Sequence, residues 1–293
     1  MSDMGRNEPF PIPFRIGREP PLMQEGTSPH PSDAGSQPVT ERLLVTAATY
    51  NERENVVRLI PEILTIVPPA HILIIDDNSP DGTGRIADEF AAKDPRIHVL
   101  HRPGKMGLGT ALLAAMRYAM DHDYELMLNL DADFSHPTRF IPNLLAGMDR
   151  HDVMIGSRYI PGGGSVDWPF SRRFMSRSVN MLVRLLLRVP VRDASGGYRC
   201  YRVARLGQAR LDLVRSRGYS FQQEVLYRCL QAGASVGETP IVFENRKHGK
   251  SKVSMKESLR SLGMLVRLGV RKMVGLDKAE RSRAVGPGDR PGG

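Results

Sequence analysis

Long apolar runs are missing from this 293-residue chain: no stretch approaches the ~20 apolar residues that a membrane-crossing helix needs. The first forty residues hold no apolar core segment of the kind that directs secretion, so a cytoplasmic protein is expected. Cysteine is scarce. The two present, Cys200 and Cys229, stand in no metal-type spacing, which argues for reduced thiols and against a disulfide scaffold. Aromatics make up only 6% with a single Trp, and none interleaves the basic segment near the end of the chain. A base-stacking platform would require that, so nucleic acid is not the expected partner. No internal repeat is evident.

What the chain does have is positive charge. The formal net charge is +9 and the pI about 9.8, which calls for a polyanionic partner. From Arg246 to Met273 nine Lys and Arg face one acid, Glu257, so nine minus one, or +8, falls there. At about 100° per residue, Lys256, Arg260, Arg267 and Arg271 share one edge of a helix. Met255, Leu259, Leu262, Leu265, Val266, Val270 and Met273 take the opposite side. Residues 255–275 therefore read as a basic amphipathic helix on a membrane surface, its cations toward lipid phosphates. A calmodulin-type target helix and a helix docked on the domain are the alternatives.

The rest divides by composition. Residues 1–40, rich in Pro, Gly and Ser, read as a disordered leader, and 276–293 as a polar, flexible tail. Between them, 41–254 alternates short apolar runs with helical periodicity. Strands are expected at Leu43–Ala48, Ile72–Ile75, Ile97–Leu100, Leu126–Leu130 and around Val153 and Ile155. Helices are expected at Glu52–Val67, Thr83–Lys93, Leu108–Met120 and Pro137–Met148. Such alternation implies an α/β fold with a mostly parallel sheet, which binds ligands beyond the carboxyl ends of its strands.

The chemistry-bearing residues fall at those ends. Tyr50-Asn51-Glu52 follows the first strand and Asp76-Asp77-Asn78-Ser79-Pro80-Asp81-Gly82-Thr83 the second. The acidic loop can accept hydrogen bonds from a base or ribose, or serve as a helix cap and turn. Asp131-Ala132-Asp133 ends the fourth strand, where two carboxylates one residue apart suit Mg²⁺ or Mn²⁺ bound together with a substrate's phosphates. Ser171 to Arg192 holds six arginines and no acid, with Phe174, Met181, Leu182, Leu185 and Leu186 at helical spacing. Arginine forks match phosphate geometry, though Arg184 and Arg188 suit a solvated face. Asp193 heads a tight loop through Arg199.

Seven segments in order resemble the dolichol-phosphate (polyprenyl-phosphate) mannosyltransferase group of glycosyltransferase family 2. They are TYNERENV (Thr49–Val56), DDNSPDGTG, GKMGLGTAL (Gly104–Leu112), DADFSHP, GSRYIPGGG (Gly156–Gly164), GYSFQQEVLYRC (Gly218–Cys229) and ENRKHGKSKVS (Glu244–Ser254). The resemblance implies a GT-A, Rossmann-like domain. It implies that Ala48, Tyr50, Glu52, Ile75 and Asp77 surround the base and ribose, with the Ala132 backbone close to the sugar nucleotide. Asp131 and Asp133 would bind the metal. Arg158, Arg246 and Lys252 would meet donor and acceptor phosphates, and one of Arg172 and Arg173 would assist at the acceptor. Two departures stand out: Ala48 replaces the usual Pro, and Ser195-Gly196-Gly197-Tyr198-Arg199 replaces a Thr-Ser-Gly-Phe-Arg loop.

The expected reaction is inverting transfer of a hexose, foremost mannose from GDP-mannose, to dolichyl or polyprenyl phosphate at the cytoplasmic membrane face. A small membrane subunit is a further expected partner. The alternatives are UDP-glucose or another donor, a soluble or polysaccharide acceptor, and a non-catalytic nucleotide-sugar-binding scaffold at the membrane.

Overall fold

The computed structural model describes residues 15–16, 42–216, 218, 220–245, 263–264 and 266–270. A two-residue strand, β1 (Arg15–Ile16), comes first. The alternating part follows as β2 (Leu43–Thr49), α1 (Arg53–Ile66), β3 (His71–Asp76), α2 (Thr83–Ala91), β4 (Ile97–His101), α3 (Leu108–Asp121) and β5 (Leu126–Asp131). Next come a 3₁₀ turn at Thr138–Phe140, α4 (Ile141–Gly147), β6 (Val153–Ser157), β7 (Gly164–Ser165) and α5 (Phe170–Leu187). The described part closes with β8 (Arg199–Arg202), α6 (Val203–Gln208), α7 (Phe221–Gln231), β9 (Val236–Pro240) and β10 (Val242–Phe243).

The large sheet runs β1-β4-β3-β2-β5-β8-β6-β9, and β7 pairs with β10 in a separate parallel ribbon. Strands β4, β3, β2 and β5 are parallel neighbours, so the expected mostly parallel sheet is present. These strands read as unbroken apolar runs because both of their faces are covered. Along β3 the side chains alternate between two cores. Ile72 and Ile74 join Leu59, Ile60, Ile63, Leu128 and Ile141 on one face, whereas Leu73 and Ile75 join Ala115, Met127 and Leu226 on the other. Both cysteines are free and buried, and burial pushes each thiol up to about 12, in keeping with the expected reduced state.

Two elements differ from expectation. The segment from Pro137 is not one helix: the 3₁₀ turn precedes α4, and Pro142, not Pro137, occupies the first turn of the α-helix. Arg199, expected to close a turn, opens β8, which lies antiparallel between β5 and β6. Its RCYR sequence shows no apolar alternation, because Arg199 is itself fully buried.

The leader 1–40, apart from Arg15–Ile16, and the tail 276–293 lie outside the described residues, as does most of 255–275. Within the last of these, 263–264 and 266–270 are helical. Leu268 and Met264 pack against the core, and a Cβ on Gly269 would lie 3.3 Å from Leu186 of α5. Val266 and Val270 remain exposed. No helix among the described residues is long and apolar enough to cross a membrane.

At the amino ends of the strands His71, His98 and Tyr124 form a polar cluster. His71 Nδ1 lies 3.0 Å from His98 Nε2 and 2.9 Å from the Tyr124 hydroxyl. Burial, with His71 and His122 nearby, lowers His98 to about 4. The folded state therefore keeps His98 neutral below pH 6.5, where an unfolded chain already takes up the proton. Its contribution is present above about pH 6.5 and fades as the pH drops toward 4. The urea midpoint should fall across that window, and His98→Gln should flatten the fall. A midpoint series at several pH values in both proteins checks this, and parallel curves would refute it.

Candidate functional site

Register brings the candidate residues into one row. Ala48 of β2 is paired with Ile75 of β3 on one side and with Asp131 of β5 on the other. The sheet order reverses between β2 and β5, the kind of switch point at which parallel sheets open a ligand crevice. Ile75 is fully buried, so its backbone is what it can present there.

The acidic loop after β3 divides its carboxylates between two tasks. Asp76 accepts from the Thr49 hydroxyl and the Ser79 amide, and Asp81 accepts from the Thr83 amide and hydroxyl and the Arg53 amide. Both are turn and cap residues. Ser79 and Thr83 in turn accept the Asn51 and Glu52 amides, which ties the Tyr50-Asn51-Glu52 loop to this one. Glu52 receives the Asn55 side-chain amide at 2.6 Å, and Lys105 Nζ sits 4.4 Å over the Tyr50 ring.

Asp77 is different. It is buried, and its Oδ1 lies 3.2 Å from Arg102 Nε in an ion pair that falls short of hydrogen-bond geometry. Arg102 is buried too; Nη2 donates to Thr110 while Nη1 lacks a partner. Burial raises the Asp77 carboxyl, with Arg102 opposing. A buried acceptor held beside a buried cation is a place for a ligand N–H. Sequence reading did not single out Arg102; only its position after β4, pairing across the sheet, reveals it.

Asp131 closes β5, with its side chain partly open to solvent. His136 folds back beneath it: Nδ1 accepts the Asp131 amide at 3.0 Å and lies 3.6 Å from Oδ2. Burial lowers the imidazole, against the pull of Asp131 and Asp133, so His136 is neutral with its proton on Nε2. The Ser135 amide donates to Asp133 at 3.0 Å. Phe134, between them, has φ of 60°, a left-handed backbone that is costly for a bulky side chain. Among the described residues no three His, Cys, Asp or Glu gather as a closed metal cage. Two hard carboxylates with open positions fit Mg²⁺ or Mn²⁺, which takes remaining ligands from water and phosphate.

Arg158 follows β6. Its Nε and Nη2 each donate to Asp193 at 2.7 Å, and Nη2 also donates to the Ser195 hydroxyl at 3.0 Å. Trp168, Phe243 and Tyr159 surround the guanidinium. Burial would raise the Asp193 carboxyl, but Arg158's charge and hydrogen bonds hold it below the usual carboxylate range. The fork that was expected at a phosphate is thus engaged by Asp193. The loop from Asp193 to Arg199 is more than a turn: Arg199 donates to the carbonyls of Ala194, Gly196 and Gln222, each at 2.7 Å. Asn180 of α5 accepts the Ser195 amide and donates to the Ser195 hydroxyl.

Arg172 and Arg173 both meet Trp168, the first 3.9 Å above its ring and the second donating to its carbonyl at 3.0 Å. The structure thus gathers Ala48, Tyr50, Glu52, Ile75, Asp77, Asp131, Ala132 and Asp133 at the carboxyl ends of β2, β3 and β5. The charge of Asp131 reaches Arg158. Arg246 and Lys252 lie outside the described residues.

Known proteins share this pattern. The model of "Glycosyl transferase family 2" matches residues 45–207. Polyprenol monophosphomannose synthase of Mycolicibacterium smegmatis is 40% identical over 258 residues, 86% of this chain and 96% of its own length. Undecaprenyl-phosphate mannosyltransferase of Micrococcus luteus is 40% identical over 213 residues, 73% of this chain and 88% of its own. Among solved structures, the fold resembles glucosyl-3-phosphoglycerate synthase of Mycobacterium tuberculosis in complex with UDP (TM-score 0.55, 16% identity, covering 78% of this chain and 80% of that one). It also resembles a mannosyltransferase of Pyrobaculum calidifontis in complex with GDP-Man and Mn²⁺ (TM-score 0.50, 16% identity, 80% and 64%).

Removing one partner of the Arg158–Asp193 pair strands a buried charge. Asp193→Ala should cost about 3–5 kcal/mol of stability. Asp193→Ala combined with Arg158→Met should recover part of that loss, since no bare cation remains. Urea unfolding of both variants measures it; a double variant no more stable than Asp193→Ala would refute the pairing account.

Proposed function

Because this chain belongs to glycosyltransferase family 2, we propose that it moves mannose from GDP-mannose to a polyprenyl phosphate at the cytoplasmic face of a membrane. Glycosyl transfer is the family's activity. The observation that supports the finer reading is 40% identity to a polyprenol monophosphomannose synthase across 96% of that protein's length. The row of Ile75, Ala48 and Asp131 at the switch point, with Asp77 just beyond it, supports this reading.

In this reading Asp77 receives a base N–H on Oδ1, while Arg102 keeps its carboxylate in place. Guanine offers an N–H edge and so does uracil, so the donor is a matter for assay. Tyr50 and Glu52 line the base and ribose, and the Ala132 backbone borders the diphosphate. Asp131 and Asp133 would hold Mg²⁺ or Mn²⁺, which when bound neutralises charge on the leaving diphosphate. Ser135 donates to both carboxylates, its amide to Asp133 and its hydroxyl to Asp131, while His136 accepts the Asp131 amide.

The attacking group is an acceptor phosphate oxygen, already anionic near neutral pH since its second pKa is about 6. It forms the bond to the anomeric carbon as the bond to the diphosphate oxygen breaks, and configuration inverts. No general base is needed, so the protein's work is positioning and charge stabilisation. Arg246 and Lys252 are assigned to the phosphates, and Arg172 or Arg173 to the acceptor. Arg158, locked to Asp193, contributes the shape of the acceptor loop.

A radiolabel assay with Mg²⁺ or Mn²⁺, polyprenyl phosphate and a panel of GDP-mannose, UDP-glucose, UDP-galactose and UDP-GlcNAc tests this. Label should enter the organic phase from GDP-mannose alone and vanish with EDTA. Transfer from a UDP-sugar instead would overturn the donor assignment. Asp131→Ala and Asp133→Ala should each lose on the order of 10²-fold or more in turnover while melting as the wild type does. Full turnover in both would remove the metal assignment.

A further inference from the structure

Trp168 is the single tryptophan of the chain, and it sits in the wall around Arg158 rather than in either apolar core. The backbone is left-handed at Asp167, with φ of 55°, and Pro169 opens α5. The side chain between them is buried, 5% exposed, while its neighbour Phe170 is 81% exposed. Pairing of β7 with β10 brings Phe243 against the indole, with ring centroids 5.3 Å apart and planes 69° apart. The guanidinium carbons of Arg158 and Arg172 lie 5.2 Å and 3.9 Å from the indole centroid. Arg173 Nε donates to the Trp168 carbonyl at 3.0 Å. Three arginines and one aromatic ring therefore hold this side chain in place.

Its polar atom is not satisfied by that setting. Nε1 is buried, and among the described residues it finds no hydrogen-bond acceptor. An indole N–H can only donate, and a buried one normally has a partner. Beside two guanidinium groups the partner that the surroundings favour is an anionic oxygen, since the same cations that repel a further donor's charge stabilise a negative acceptor. Placement narrows the choice. Phe243, which packs on Trp168, also meets the His136 ring at 5.5 Å, and His136 accepts the Asp131 amide. The indole thus stands two ring contacts from the loop after β5, on the Arg158 side of the crevice and across from the carboxylates assigned to the leaving diphosphate. We propose that the Trp168 indole N–H donates a hydrogen bond to a phosphate oxygen of the acceptor, a charge-assisted bond that an uncharged alcohol cannot match. Trp168 is then a specificity-determining residue, which reads the charge of the acceptor's head group.

The inference rests on the reading of the acceptor as a prenyl phosphate, and one tryptophan makes it directly observable. The full chain, labelled with ¹⁵N at the indole, gives a single indole N–H resonance that needs no assignment. Citronellyl phosphate, a short water-soluble prenyl phosphate, should move that proton downfield, and citronellol, the same chain without the phosphate, should leave it in place. Trp168→Phe, which keeps a ring for Arg172 and Phe243 but has no N–H, should raise the KM for citronellyl phosphate at least about tenfold. Its KM for the sugar donor and its melting temperature should stay as in the wild type. If that variant does not fold, the wild-type titration decides alone. An indole resonance unmoved by a prenyl phosphate to which the protein does transfer sugar overturns the proposal and leaves the acceptor reading standing. An unmoved resonance with no transfer to any prenyl phosphate overturns both. A resonance that answers to GDP-mannose with Mg²⁺ but not to the prenyl phosphate gives the N–H to the donor and overturns the proposal, as does an equal response to the alcohol.

Discussion

The buried ion pair of Arg158 and Asp193 is the constraint on which the β6 side of the crevice depends. Neither group could stay ionised in that place without the other, and each fixes a different element. Arg158 carries the end of β6 and packs on Trp168, on which Arg172 also stacks. Asp193 heads the loop that closes around Arg199, and its neighbour Ser195 reaches Asn180 on α5. One pair thus couples a strand, a loop, an aromatic lid and a helix into a single wall.

The β2–β3 side of the crevice is built by other means. Its loops are stitched by side chain to backbone bonds, with Asp76, Ser79, Asp81 and Thr83 consumed in holding shape. Of the loop's three carboxylates, Asp77 alone keeps an oxygen without a hydrogen-bond partner, and it does so in a buried place beside Arg102. The oxygen that faces Arg102 keeps lone-pair capacity for a ligand N–H. The loop after β5 combines both strategies: Asp131 and Asp133 at its head, the His136 imidazole behind Asp131, and a strained Phe134 next to Asp133.

The two halves meet at β2 and β5, where the sheet reverses. That meeting place follows from chain order and right-handed crossovers and needs no special residue. Special residues decide what is done there. A fold shared at 16% identity with a glucosyl-3-phosphoglycerate synthase carries no substrate by itself. This chain sets an exposed apolar stripe on α5 beside the wall built on Arg158 and Asp193.

Sequence alone determined the alternation of strands and helices from Leu43 to Ser157, because periodicity and unbroken apolar runs are local signals. It also located Asp77, Asp131 and Asp133 at strand ends, since turn residues follow those runs directly. It could not reveal β8, a four-residue strand with two arginines, because its burial comes from neighbours far along the chain. Nor could it assign Arg158 to Asp193, 35 residues on, or Arg102 to Asp77, 25 residues back. Ion pairing across a fold depends on distances that no spacing in the chain encodes. The two-sidedness of α5 shows the same division: its apolar spacing is written in the sequence, but which stripe is buried was decided only when Val183 and Leu187 found the core and Phe174 and Leu185 did not.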